Sequence, residues 1–256
     1  MSRPLVIGHR GASHVAPENT LASFRRAFSE GADGVEGDFR STRDGVIVCL
    51  HDADLKRTTG DDRLIASVDV AGIRDLDAGS WKGDDFHDEG VPTLIDVVGV
   101  VPSDRDLLVE LKSGVETVQP LLLALSKSPI APDRCTIIAF DDDVVRSVRT
   151  DAPEYGCYLL DSFKRDGSGG LKPTVEELID RARAISATGI GVQANLDVID
   201  EAFMAACRNA GLEVNVWTVN DPDTAVVLME LGVTSITTDR PGLIRDALKA
   251  AASGDD

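Results

Sequence analysis

VIGHRGASHVAPENTLASFRRAFSEGADGVEGDFRSTRDGVIVCLHD, residues Val6 to Asp52, decides how the chain is read. An apolar run through Gly8 ends in His9, and a second one, Val46 to Leu50, ends in His51. Between them Asp33 to Phe39 reads as a strand carrying Glu36 and Asp38 two positions apart. Residues i and i+2 of a strand share a face. The two carboxylates therefore converge, and a histidine stands at the end of each flanking strand.

Within this stretch Asn19 is a candidate N-cap for the helix LASFRRAFSEGA, whose Leu21, Phe24, Ala27 and Phe28 share a face, and Gly31 suits its C-terminal cap. The link Ser41-Thr42-Arg43-Asp44-Gly45 is short and contains Asp-Gly, a hairpin signal. A parallel crossover needs about a dozen residues or more. The strands on either side are therefore expected to pair antiparallel.

Residues 52–92 are rich in Asp and Gly, show no strong period, and carry Trp81 and Phe86 as their only aromatics. They read as an insertion folded over the mouth of a scaffold. Beyond them strands near 106–111, 134–139, 155–160, 189–193, 213–217 and 233–237 alternate with helices near 93–101, 115–127, 141–150, 174–187, 197–210, 221–231 and 241–252. Such alternation predicts a parallel sheet with helices outside. The nine strand candidates are one too many for an eight-stranded barrel. If one hairpin member is the antiparallel extra, the rest closes into an α/β fold of the (β/α)8 TIM-barrel class, one domain over residues 1–256 with a small insertion after the third strand.

Composition narrows the function. A net charge of −18 argues against nucleic acid, whose phosphates demand a basic surface, and against stable association with anionic membranes. No apolar run approaches the roughly 18 residues of a membrane helix, and no apolar segment of a leader precedes His9. The four cysteines, Cys49, Cys135, Cys157 and Cys207, are scattered without CxxC spacing, which points to free core thiols and a cytoplasmic location. Oligomeric state leaves no mark in the sequence.

Functional groups of a (β/α)8 barrel sit at the C-terminal ends of its strands. His9, Glu36 with Asp38, His51, Glu110 with Lys112, and Trp217 each fall near the end of a different expected strand. Glu36, Asp38 and Glu110 are hard oxygen donors suited to Mg2+, Ca2+ or Mn2+. Without a cation, three converging carboxylates would raise one another's pKa. Read singly, each is as well explained as a surface acid of an acidic protein. A lone histidine is likewise more often structural than catalytic, but a pair at adjacent strand ends beside an acidic pair favours proton transfer. His14 and His87 fall in loop-like stretches and read as surface residues. Asp52, next to His51, is suited equally to orienting an imidazole or capping a turn.

HRG, PENT, GADGVEGD, STRDG, HD and RTTG follow one another here in the order and spacing of the glycerophosphodiester phosphodiesterase family, and LDAGSW (76–81), VPTL (91–94), VELK (109–112), VWTVN (216–220) and TTDRP (237–241) continue the pattern. The chain resembles that family over nearly its whole length. The resemblance implies metal-dependent hydrolysis of a glycerophosphodiester, such as glycerophosphocholine or glycerophosphoethanolamine, to sn-glycerol 3-phosphate and an alcohol. It implies Glu36, Asp38 and Glu110 as metal ligands, His9 and His51 as general acid and base, Arg10 and Lys112 on the phosphate rather than in ion pairs with the carboxylates, and Trp217 in the substrate pocket. Glu18 and Asp239 read as scaffold hydrogen-bonders. Two positions depart from the family's usual pattern: Gly37 replaces a bulky apolar residue between two ligands, and Ala139 replaces a serine beside Phe140. A related reading is a lysophospholipase D-like enzyme, which an apolar channel in 52–92 would favour; that segment is strongly polar. A different class, a catalytically inactive barrel that binds a phosphorylated ligand, predicts the loss of a proton-transfer or metal residue, and none is lost.

Overall fold

Strand β1 (Leu5–His9) opens the chain and is followed by α1 (Leu21–Ser29), β2 (Gly34–Ser41), β3 (Ile47–Cys49), α2 (Lys56–Thr59), α3 (Leu94–Val98), β4 (Asp106–Leu111), α4 (Val118–Ser126), β5 (Cys135–Ala139), α5 (Asp142–Asp151), β6 (Gly156–Asp161), β7 (Lys164–Arg165), β8 (Leu171–Lys172), α6 (Val175–Ala184), β9 (Gly189–Gln193), α7 (Glu201–Asn209), β10 (Glu213–Trp217), α8 (Pro222–Leu231), β11 (Ser235–Thr238) and α9 (Pro241–Ser253). The structure, a computed structural model, describes residues 3–165, 167 and 170–254.

Eight strands form a closed parallel barrel in the order β1-β2-β4-β5-β6-β9-β10-β11, with β1 paired to both β2 and β11. The surplus strand is β3, which runs antiparallel to β2. Phe39 pairs with Leu111 of β4 on one side and with Cys49 of β3 on the other. Thus β3 takes over the edge of β2 that β1 leaves after His9. The short hairpin β7–β8, absent from the strands expected above although Asp166-Gly167 and Gly169-Gly170 lie between its two strands in the sequence, stands outside the barrel sheet.

Strand alternation divides the core. Val35, Phe39, Val109, Ile137 and Leu159 point outward and pack with Phe24, Leu121, Val144 and other helix residues, all essentially inaccessible. Ile7, Leu108, Ile138, Tyr158 and Leu160 point inward, with Trp217 closing the group. On β9 a Cβ at Gly189 would lie 2.7 Å from the Tyr158 ring, and one at Gly191 2.4 Å from Leu160 Cδ2. Small residues on one strand thus make room for large ones on the next. A third cluster, Val48, Leu50, Leu55, Ile65, Val68 and Ile73, gives β3 and part of the following segment an apolar centre of their own. Residues after His51 therefore stay ordered through a few short turns despite lacking periodicity.

One sequence expectation is corrected. The cap of α1 is Thr20, whose side chain accepts a hydrogen bond from the Ser23 amide. Asn19 has φ of 59° and sends its amide elsewhere, to Asp38. Both residues are good cap formers, and Asn19 is taken by Asp38, whose carboxylate it donates to and whose amide it accepts from.

At the foot of the barrel Asp33 ties the seam between β1 and β2. It accepts from Arg3 at 2.6 and 2.9 Å and from the Val6 amide at 2.9 Å. Burial opposes its ionisation, but the Arg3 hydrogen bond and the Val6 amide hold its pKa below the ordinary value. A depressed carboxylate pKa contributes stability above the unfolded pKa, near 4, that is lost as pH falls through the folded value. Asp33→Asn is therefore expected to cost about 1–3 kcal/mol at neutral pH. The gap between variant and parent in urea unfolding should shrink as pH falls below the ordinary carboxylate range, through the depressed folded pKa; a gap independent of pH would contradict this account.

Candidate active site

Register builds the site. In the parallel sheet His9 pairs with Glu36 and Asp38 pairs with Glu110, so residues from β1, β2 and β4 meet at one level. Glu36, Asp38 and Glu110 each offer an oxygen within 4.8 Å of the others. Gly37 faces the outer layer, where a Cβ would lie 3.0 Å from Cys49 Sγ and 3.2 Å from Phe24. The space a bulkier residue would need is filled by β3 and α1.

His51 arrives by another route. Strand β2 rises past the barrel, turns at Asp44-Gly45, and β3 descends along it until the Leu50 amide donates to Asp38 O at 2.8 Å. The descent returns His51 to the level of the carboxylates. It is carried by an added strand and not by a barrel strand.

Each histidine is oriented by a carboxylate on Nδ1. His9 Nδ1 lies 2.7 Å from Asp239 Oδ1, and His51 Nδ1 lies 2.7 Å from Asp52 Oδ1. A carboxylate there favours the Nδ1–H tautomer and leaves Nε2 as the exchangeable nitrogen. Asp239 is itself fixed by Ser13 at 2.9 Å and Asn220 at 2.6 Å, and Asp52 by Arg57 at 2.6 Å. The two readings of Asp52 thus resolve toward orientation. Burial works against a charged His9, yet Asp239 and Glu36 hold its pKa above the ordinary value.

The turn after β1 is strained in a specific way. Arg10 has φ of 54° and Gly11 φ of 86°. A Cβ on Gly11 would stand 2.5 Å from the Ser23 carbonyl carbon, so this turn requires glycine. It folds the Arg10 side chain back, with Nη1 2.8 Å from Glu18 and Nε 3.0 Å from Asp38 Oδ2, while the Arg10 amide donates to Glu36 at 3.0 Å. Lys112 Nζ contacts Glu110 at 2.7 Å and Asp38 Oδ1 at 3.5 Å. Both cations are therefore engaged with the carboxylates in this structure.

The electrostatics are unequal. Burial and the neighbouring Asp38 push Glu36 up to about 8. Burial and Asp38 also raise Glu110. Asp38, although buried, is held below its usual range by Arg10 and Lys112. Glu36 Oε1 and Asp38 Oδ1 are buried and accept no hydrogen bond. Buried carboxylate oxygens without donors are costly. The donor set is all hard oxygen, so the three residues could hold a divalent cation, and the vacant lone pairs fit one.

The cavity beside them, about 250 Å3, has a charged wall (His9, Arg10, Glu36, His51, Glu110, Lys112) and an apolar one (Ile138, Phe140, Leu160, Trp217). Every site residue expected from the sequence except Asp38 lines it; Asp38 lies fully buried behind the charged wall. Trp217 meets Phe140 edge to face at 5.7 Å, and Lys112 Nζ stands 5.9 Å over the Phe140 ring. Ala139, between Ile138 and Phe140, points away into the outer core, so its departure from serine does not touch the cavity.

Sequence reasoning left Asp239 as a scaffold hydrogen-bonder, whereas it holds His9, and it missed Asn19 and Arg40 as parts of the site. Asn19 brackets Asp38, donating to Oδ2 at 2.8 Å and accepting from the Asp38 amide at 3.1 Å. Arg40 donates to His51 O at 2.9 Å and Lys112 O at 3.3 Å, pinning the two segments together. Its place at i+4 from Glu36, on the same strand face, was the available signal.

The sequence profile described as "Glycerophosphoryl diester phosphodiesterase family" matches residues 9–243. The glycerophosphodiester phosphodiesterase of Caldanaerobacter subterraneus subsp. tengcongensis is 33% identical, with 93% of this chain and 95% of that protein covered. Among solved structures, an Oleispira antarctica phosphodiesterase in complex with the product sn-glycerol-3-phosphate superposes with a TM-score of 0.84 at 30% identity, covering 96% of this chain and 97% of that one. The glycerophosphodiester phosphodiesterase of Thermotoga maritima gives 0.74 at 25% identity, covering 96% and 99%. With its closed eight-stranded barrel and a match over nearly its whole length, the chain belongs to the glycerophosphoryl diester phosphodiesterase family, enzymes that hydrolyse phosphoric diesters.

Proposed function

We propose that the protein hydrolyses water-soluble glycerophosphodiesters, such as glycerophosphocholine and glycerophosphoethanolamine, to sn-glycerol 3-phosphate and an alcohol. The observation that carries this reading is the convergence of Glu36, Asp38 and Glu110, with donor-free buried oxygens, beside two histidines that are each held by a carboxylate. These three residues would hold Mg2+, Ca2+ or Mn2+, which when bound supplies Lewis acidity toward a phosphate oxygen.

The remaining work falls to the chain. In hydrolysis the bond from phosphorus to the leaving oxygen breaks, and water supplies the new oxygen and, in net, the proton taken by the alcohol. One of His9 and His51 accepts a proton from the nucleophile and the other donates one to the leaving alkoxide, through Nε2 in each case. Asp239 and Asp52 keep each imidazole in its tautomer. Arg10 and Lys112, once a cation satisfies the carboxylates, have donors to turn toward the phosphate. The wall of Phe140, Trp217 and Leu160 suits the carbon skeleton of glycerol. Segment 52–92 serves as cover: Lys82 Nζ reaches Ser13 O at 2.7 Å. Among the described residues no helix is long and apolar enough to cross a membrane. Four buried, unpaired cysteines support the cytoplasm as the site of action.

Release of glycerol 3-phosphate from glycerophosphocholine tests the reading. Activity should vanish with EDTA and return with one of Mg2+, Ca2+ or Mn2+; silence with every cation and every glycerodiester would overturn it. His9→Ala and His51→Ala should each lower kcat by about 10²–10⁴-fold. Asp239→Asn should lower kcat by at least about tenfold with little change in KM, because it disturbs an imidazole and not a binding contact. In calorimetric titration Asp38→Asn should weaken cation binding by about tenfold or more; unchanged affinity would remove Asp38 from the ligand set.

A further inference from the structure

A second cleft, about 500 Å3, adjoins the catalytic cavity and shares His9 and Arg10 with it. Its other walls come from the segment after His51, through Trp81 and Lys82, and from the end of β11, through Asp239 and Arg240. None of the chemistry derived above uses this space. It is nevertheless the space entered by whatever extends from the phosphorus past His9 and Arg10.

Its charge is unusual for this chain. With 44 acidic and 26 basic residues, carboxylates outnumber cations throughout. Lys82 Nζ nonetheless donates only to the Ser13 carbonyl, and Arg240, exposed, has no side-chain hydrogen bond or ion pair among the described residues. The carboxylates of the cleft are already committed. Glu18 is held by Arg10 and Arg57, and Asp239 by His9, Ser13 and Asn220. What remains to attract a ligand is positive. Trp81 is exposed and offers a stacking surface, but Lys82 Nζ sits 5.7 Å from its ring centroid. A quaternary ammonium approaching that tryptophan would meet a like charge.

We propose that this cleft is the leaving-group subsite, and that Lys82 and Arg240 select diesters whose alcohol itself carries an anionic phosphate or carboxylate. The proposal rests on the phosphodiesterase reading and names the substrate class within it. These cations, paired with no carboxylate among the described residues, offset the adverse field that a doubly anionic diester meets on approaching a protein of charge −18. A cationic alcohol such as choline gains nothing there.

The test compares two probes that release the same product. They are 1,3-bis(sn-glycero-3-phospho)glycerol, whose leaving group is an anionic diester, and glycerophosphocholine. Wild-type protein should prefer the first in kcat/KM by about tenfold or more at low ionic strength, and added KCl should shrink that preference. Lys82→Met and Arg240→Met should each reduce the ratio of the two kcat/KM values by about three- to tenfold, chiefly through KM, while Arg240→Lys should keep most of it. Absence of a wild-type preference, or a ratio unmoved in both methionine variants, would overturn the subsite while leaving the phosphodiesterase reading intact. Failure of wild type to cleave either probe or any other glycerodiester with any cation would overturn that reading, and the subsite with it.

Discussion

Three carboxylates pressed into one wall of the barrel mouth govern the arrangement around them. Glu36, Asp38 and Glu110 meet because β1, β2 and β4 lie in a fixed parallel register, and burial there makes their mutual repulsion expensive. The neighbouring residues reduce that cost. Arg10 is folded back by a left-handed turn that only a following glycine allows, Lys112 leans across from β4, and Asn19 gives up a helix cap to bond Asp38. Even so, two buried oxygens are left without donors. A scaffold selected for stability alone would not keep them, since replacing such groups with apolar side chains is often neutral or stabilising.

The antiparallel hairpin solves a second problem. A (β/α)8 barrel offers functional groups at the C-terminal ends of parallel strands, and neighbouring strands diverge as they twist. Strand β1 ends at His9, so it offers no second group farther along the same edge of β2. Strand β3 fills the vacated edge of β2 and brings His51 down to the carboxylates. Arg40 then locks the arrangement by bonding the backbones of His51 and Lys112.

Most of this was legible in the sequence because it rests on short periods. The i, i+2 rule placed Glu36 beside Asp38 and Glu110 beside Lys112. Asp44-Gly45 identified the hairpin, and strand–helix alternation gave the barrel, with β4, β9 and β10 spanning the ranges expected. What escaped depends on long-range geometry. Asn19 and Thr20 are equivalent as cap formers until the position of Asp38 is known. Arg40 looks like an ordinary polar strand residue until β3 and β4 lie on either side of it. That Ala139 turns outward follows from alternation alone, but its consequence appears only once Ile138 and Phe140 are seen to face the cavity.

The two histidines are anchored in separate stretches of the chain. His9 depends on Asp239, 230 positions away, and so on completion of the whole barrel, whereas His51 depends on Asp52, its immediate neighbour, which Arg57 steadies in turn. The first arrangement is inherited with the barrel; the second travels with a short cassette. Descendants of such a barrel can therefore lengthen, trim or exchange the segment beyond Arg57 without touching the carboxylate that holds His51. What the mouth admits can thereby change separately from the anchoring of the two imidazoles, and one gene can explore new ligands while that pair stays in place.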